Sequence, residues 1–197
     1  MIDLEKQKKQ FKNHIAKFTD YGNIKILDFK EPNTSHYRIR FLFEEDYCRL
    51  HISGDLGELV ATNYNNMTYD SFSDFRNEVE YFQKKIDCHS RPIYVYDEDV
   101  ARKELSQMIE EYDLEDKIMK NAYKFEEYED VLETELTKIL EDYSEYDGVG
   151  RSYDRLSEYF PDVWEFADDL GKVSTGILEL YLLAFELAQE NLKKQEA

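Results

Sequence analysis

Between Asp97 and Asp169 the chain carries 25 Asp or Glu against 8 Lys or Arg, which is −17 of its formal net charge of −19. Ionised side chains are almost never fully buried unless paired, so this stretch must fold with its carboxylates outward. Residues 1–92 hold 15 acids and 14 bases and are close to neutral. The expectation is two parts, an ordinary mixed half over 1–92 and an acidic half over 93–197.

Within the acidic stretch apolar residues recur at helical spacing. Phe125, Tyr128, Leu132, Leu136, Ile139 and Tyr143 step by three or four and form one stripe to bury. Glu126, Glu127, Glu129, Asp130, Glu133 and Glu141 fall largely on the other faces, and Asp142, Glu145 and Asp147 extend the acidic run. Carboxylates four residues apart on a helix are separated by about 6 Å along the axis. DNA carries a charge every ~3.4 Å per strand, so such a rod approaches nucleic-acid charge density and would fit a basic cleft. Like charges at i, i+4 cost a few tenths of a kcal/mol per pair, a penalty that points to use. An acidic solvated face also serves solubility alone.

The fold expected is α+β: a small antiparallel sheet with covering helices, followed by an acidic helical domain. Residues 3–18 read as a helix on the face of Leu4, Phe11, Ile15 and Phe18, and residues 23–30 as a strand. Strands follow at 37–43, 48–53 and 58–62. Pairing Phe43 with Cys48 puts Ile39, Phe41, Phe43, Cys48, Leu50 and Ile52 on one apolar face. It also gathers Arg38, Arg40, Arg49 and His51 on the other as a local basic patch. Asp70 or Ser71 should cap a helix carrying Phe72, Phe75, Val79, Phe82 and Ile86 over the sheet. After the break at Arg91-Pro92, with 93–96 extended, Asp97 caps a helix with Ala101, Leu105, Met108 and Tyr112 on its buried side. A long acidic helix over 115–144, open to one break, a corner at Gly148-Val149-Gly150 and short helices at 152–160 and 162–170 complete this part. The last helix, Thr175 to about Lys193, is apolar on nearly every side between Ile177 and Ala188, which suits the staff of the acidic domain or a homodimer seam.

Catalytic signatures are missing. Cys48, His51, Cys88 and His89 are the soft ligands, but Cys48 and His51 fall on opposite strand faces and adjacent Cys88 and His89 rarely both ligate, so no metal is expected. Gly54-Asp55-Leu56-Gly57 leads into a strand without a following Lys and reads as a turn, not a phosphate loop. No cofactor is implied, and the chain reads as a non-enzyme. There is neither an apolar leader at the N-terminus nor a run of about 18 apolar residues, so a cytoplasmic chain without membrane spans is expected. A chain at −19 is repelled by phosphate, which argues against direct nucleic-acid binding.

Two classes of function fit. The first is a stoichiometric inhibitor that occupies the basic channel of a nucleic-acid enzyme, gripping it with the acids and with Tyr128, Tyr143 and Tyr146. The second is an interaction module without mimicry, either an immunity protein neutralising a toxin or a dimeric adaptor. The segment Tyr47-Cys48-Arg49-Leu50-His51-Ile52-Ser53-Gly54-Asp55-Leu56-Gly57, with Asn63-Tyr64-Asn65-Asn66-Met67, resembles small phage- and prophage-borne proteins. Small acidic proteins from that setting include anti-CRISPR inhibitors of Cas9, several of them DNA mimics. The resemblance implies a mobile-element origin more than any specific target; the partner expected first is a basic nucleic-acid-binding protein, a Cas9–guide RNA complex. It carries no site residues with it.

Overall fold

The computed structural model describes residues 2–120, 127–141 and 152–196. In chain order the elements are α1 (Leu4–Gln10), β1 (Ile15–Asp20), β2 (Ile24–Lys30), β3 (Ile39–Glu44), β4 (Arg49–Gly54) and β5 (Leu59–Thr62). A 3-10 turn (Phe72–Asn77), α2 (Val79–Gln83), β6 (Ile86–His89) and β7 (Tyr94–Tyr96) follow. Then come α3 (Glu98–Glu111), α4 (Glu115–Met119), α5 (Tyr128–Leu140), α6 (Ser152–Tyr159), 3-10 turns at Val163–Glu165 and Ala167–Asp169, β8 (Lys172–Ser174) and α7 (Ile177–Glu196). The fold is α+β.

Two compact units result. The first joins Met1–Ile93 to Thr175–Ala197, and the second is Tyr94–Ser174. The last helix is therefore not the staff of the acidic part. Its apolar residues, including Leu178, Tyr181, Phe185 and Ala188, are buried within the first unit, so they are not a free dimer seam either. Thr175 N donates to Ile93 O at 2.9 Å, bringing the two ends of the first unit's interruption together.

In that unit β1 to β6 form an antiparallel meander in sequence order. Alternation decides its faces: Ile39, Phe41, Phe43, Leu50 and Ile52 point to the core and are essentially inaccessible. The β3–β4 register pairs Phe43 with Leu50, not Cys48. A two-residue shift preserves both faces, so the expected apolar face survives while Cys48 leaves it. Cys48 sits instead in the turn, half-buried, at φ +47°. Phe185 of α7 meets the rings of Phe41, Phe43, Tyr69 and Phe72 at centroid distances of 5.2, 5.9, 5.7 and 5.0 Å. The buried Tyr181 hydroxyl donates to Leu56 O at 2.9 Å.

Two expected helices are shorter. α1 is capped by Asp3, whose carboxylate accepts from Lys6 N, and stops at Gln10. Ile15–Asp20 is an edge strand, because pairing with β2 and with α7 outweighs its local helical pattern. Ala16 N donates to Asn191 Oδ1 at 2.9 Å and Ala16 O accepts from Gln195 Nε2 at 3.0 Å, so the edge is partly closed by side chains of α7. The Phe72-to-Ile86 helix breaks at Glu78 (φ −133°, ψ 48°), and Ile86 leaves it to pair with Ala61 in β6. Phe72, Phe75 and Phe82 are buried all the same. Ser71 does not cap; its hydroxyl donates to Asn66 O.

The second unit is helical apart from the short β7–β8 ladder, where Tyr94, Val95 and Tyr96 pair with Ser174, Val173 and Lys172. Asp97 caps α3 by accepting from Asp99 N and Val100 N, as its position implied. Ala101, Leu105 and Ile109 meet Ile118, Val131, Leu136, Ile139, Leu156 and Phe160 in a separate core. The long 115–144 helix is not continuous: α4 ends at Met119 and α5 spans Tyr128–Leu140. The helix expected at 162–170 is two 3-10 turns closed by Gly171 at φ +68°. The Gly148–Gly150 corner lies outside the described residues.

Candidate acidic interface

The second unit, residues 94–174, holds 25 acids and 9 bases, or −16 of the chain's −19. Helix α5 shows how that charge is presented. Its inner stripe of Val131, Leu136, Ile139 and Leu140 is buried, with Tyr128 and Leu132 packed against it. Glu127, Glu129, Asp130, Glu133 and Glu141 are all exposed. Glu129, Glu133 and Glu141 fall in one i, i+4 row with Thr137, at about 6 Å per step. Glu126, Asp142, Tyr143, Glu145, Tyr146 and Asp147 lie outside the described residues.

Arg102 of α3 interrupts the row. Its Nη1 stands 3.4 Å from Glu133 Oε2 and 3.2 Å from Thr137 Oγ1, while Nη2 holds Glu98 Oε1 at 2.7 Å. Glu133 is thus partly neutralised, whereas Glu127, Glu129, Asp130 and Glu141 have no ion pair among the described residues. Tyr128 is half-buried; burial first, then the carboxylates of Glu115, Glu110 and Glu129, hold its phenol above its ordinary pKa.

Two residues the sequence reading passed over belong here. Glu135 sits on the inner side of α5 at 6 % exposure, accepting from Tyr159 Oη at 3.0 Å and paired with Lys138 at 2.5 Å. It is a structural acid, invisible in a run where every second residue is acidic. Trp164, the chain's one tryptophan, is 64 % exposed on a 3-10 turn between Asp162 and Glu165. Tryptophan is enriched at binding hot spots, so an exposed one is a candidate contact.

The four residues of the basic patch lie along one side of the sheet, but among carboxylates. Arg40, Arg49 and His51 share the solvent side of the sheet, but each meets a carboxylate. Arg40 holds Asp28 through Nε and Nη2 at 2.7 and 3.0 Å; Arg49 Nη1 and His51 Nε2 lie 3.8 and 2.9 Å from the same Glu44 Oε2. Arg38, exposed in the segment before β3, lines one concavity with Arg40, among Asp28, Asp55 and Glu58, and its backbone N–H donates to Asp55. A concavity of about 640 Å³ crosses this face, lined by Leu42, His51, Val60 and Cys88. With its cations matched by Asp28 and Glu44, it offers phosphate little net attraction. The Gly54–Gly57 segment is a turn: Gly54, at φ +141°, lies so close to Arg38 O that a Cβ would overlap it.

Among the described residues no group of three or more His, Cys, Asp or Glu could hold a metal ion, and no helix is long and apolar enough to cross a membrane. The chain matches no family model, no curated protein and no solved structure.

Proposed function

We propose that the chain is a stoichiometric protein inhibitor whose second unit occupies a basic nucleic-acid channel of its target. The observation that carries this reading is the concentration of −16 in one compact unit that keeps the carboxylates of α5, Glu135 apart, outside its own core. A folded anionic surface is already ordered, so it competes with DNA without the entropic cost of ordering a disordered acidic tail. Opposite fields also speed encounter and make it salt-sensitive. Trp164 would supply the desolvated contact that charge alone does not.

The target to test first is a Cas9–guide RNA complex, whose DNA channel is positively charged. The purified chain is incubated with that complex at low and high salt, with target duplex as competitor. Capture that high salt weakens and duplex displaces supports the reading. Capture indifferent to both would replace mimicry by an uncharged interface, and its absence would turn attention to a toxin-neutralising role.

A further inference from the structure

A second feature lies in the near-neutral unit. Because β1 to β5 run as an antiparallel meander, the β1–β2 turn, the β3–β4 turn and the loop leaving β5 all emerge at one end of the sheet. Each presents a tyrosine: Tyr21 is 68 % exposed, Tyr47 66 % and Tyr64 95 %. Single exposed apolar side chains are ordinary on a protein surface. Among the described residues of this unit, however, the large exposed ones are Leu4, Ile15, Tyr21, Tyr47, Tyr64 and Tyr81. Tyr81 belongs to the same end, since its hydroxyl accepts from Asn63 Nδ2 at 3.4 Å. Four of the six, all tyrosines, thus converge on one face of the unit.

The three tips are bonded to one another. Glu45 N donates to Asn23 O at 2.8 Å, joining the first turn to the second. Asn63 N donates to Cys48 O and Tyr69 N to Glu45 Oε1, both at 3.1 Å, joining the loop to the second turn. Strands lie ~4.8 Å apart, so the tips span on the order of 20 Å. That fits within the ~800 Å² that one partner of a standard interface covers. Tyrosine and asparagine on a rigid frame supply contact area at low entropic cost, as in protein-binding loops. The rings at this end also take cations: the Arg49 guanidinium lies 5.8 Å from the Tyr47 centroid and Lys85 Nζ 4.5 Å from that of Tyr81. Tyr21 and Tyr64 have no such cation among the described residues. Asp20 and Asp46, each just before a tip tyrosine, are exposed and have no ion pair among the described residues.

We infer that this end of the first unit is a docking surface for an arginine-bearing segment of a protein partner. Guanidinium planes stack on the rings of Tyr21 and Tyr64, and their N–H groups donate to the carboxylates of Asp20 and Asp46. Arginine suits both contacts, because its planar, weakly hydrated head stacks on aromatic faces and forks onto a carboxylate, whereas the lysine ammonium is a strongly hydrated point charge. The surface lies wholly within the first unit and stands independently of the acidic interface.

A short Gly-Arg repeat peptide and its Gly-Lys counterpart of equal length and charge are titrated into the full-length chain at about 0.15 M salt. Binding is mapped by NMR of backbone amides and tyrosine rings, which separates this surface from the charge attraction of the second unit. The arginine peptide should move the signals of Tyr21, Tyr47 and Tyr64 saturably, and bind there at least about threefold more tightly than the lysine peptide. A cation on an exposed ring supplies roughly a two- to fivefold factor, so Tyr21→Ala combined with Tyr64→Ala should weaken that binding roughly five- to twentyfold. Unchanged amide signals in the sheet will confirm that the variant is folded. Shifts confined to the second unit, equal binding of the two peptides at the tips, or saturation that the double variant leaves intact would overturn the surface.

Discussion

Replacing Phe185 by Ala should unfold the sheet before the acidic helices, because α7 belongs to the first unit although it follows the second in sequence. Phe185 is 1 % exposed and touches four aromatic rings within 6 Å. Removing a buried ring forfeits about 2–3 kcal/mol of transfer free energy. If about 80 Å³ stays empty, the cavity adds about 2 kcal/mol at ~24 cal/mol per Å³. The expected loss is thus about 4 kcal/mol, a large share of the 5–15 kcal/mol typical of a domain. Urea unfolding gives the total, and hydrogen exchange read by mass spectrometry says where it falls. Amides of β3 and β4 should lose protection first, with α3 and α5 less affected. A loss below about 1 kcal/mol, or one confined to α3 and α5, would refute the assignment of α7.

Three further outcomes follow from individual contacts. Glu135→Ala removes the acceptor of a Tyr159 hydroxyl bond and the carboxylate paired with Lys138; it should cost about 1–3 kcal/mol by urea denaturation, and Glu135→Gln, which keeps an acceptor, clearly less. Because burial lowers His14 from its ordinary 6.5, the unfolded chain takes up a proton first as pH falls. The stability His14 contributes is therefore complete above pH 6.5 and declines below it towards the folded-state pKa, and His14→Gln should flatten that part of the curve of urea midpoint against pH. Gly54→Ala must move the Arg38 carbonyl and adopt a strained φ, so its melting temperature should drop by several degrees.

Strand faces were legible in the sequence because burial on one side enforces a period of two. Phe41, Phe43, Leu50 and Ile52 follow it, and even a register misjudged by two residues leaves them on the same side. The N-cap at Asp97 was equally plain, since the signal is local. What failed was non-local. Ile15 and Phe18 continue the spacing of Leu4 and Phe11, and only pairing with β2 and the side chains of α7 turns that stretch into an edge strand. Ile86 likewise continues the Phe72-to-Phe82 pattern but is drawn off by Ala61. The apolar girth of α7 announced burial without saying where, because the packing partner is a sheet more than 100 residues earlier. In the acidic unit the outward set on α5 was readable from its stripe. The pairing of Glu133 with Arg102 and the burial of Glu135 depend on α3 and on Tyr159, which helical spacing does not encode.

The most direct test of the acidic interface is the salt dependence of binding to the Cas9–guide RNA complex, compared between the chain and a variant with Glu127, Glu129 and Glu141 changed to Gln and Asp130 to Asn. These positions are exposed and unpaired among the described residues, so the fold should persist. The account predicts that affinity falls steeply with salt for the chain, and that the variant binds at least tenfold more weakly with a shallower salt slope. Equal affinities and equal slopes for the two proteins would contradict it.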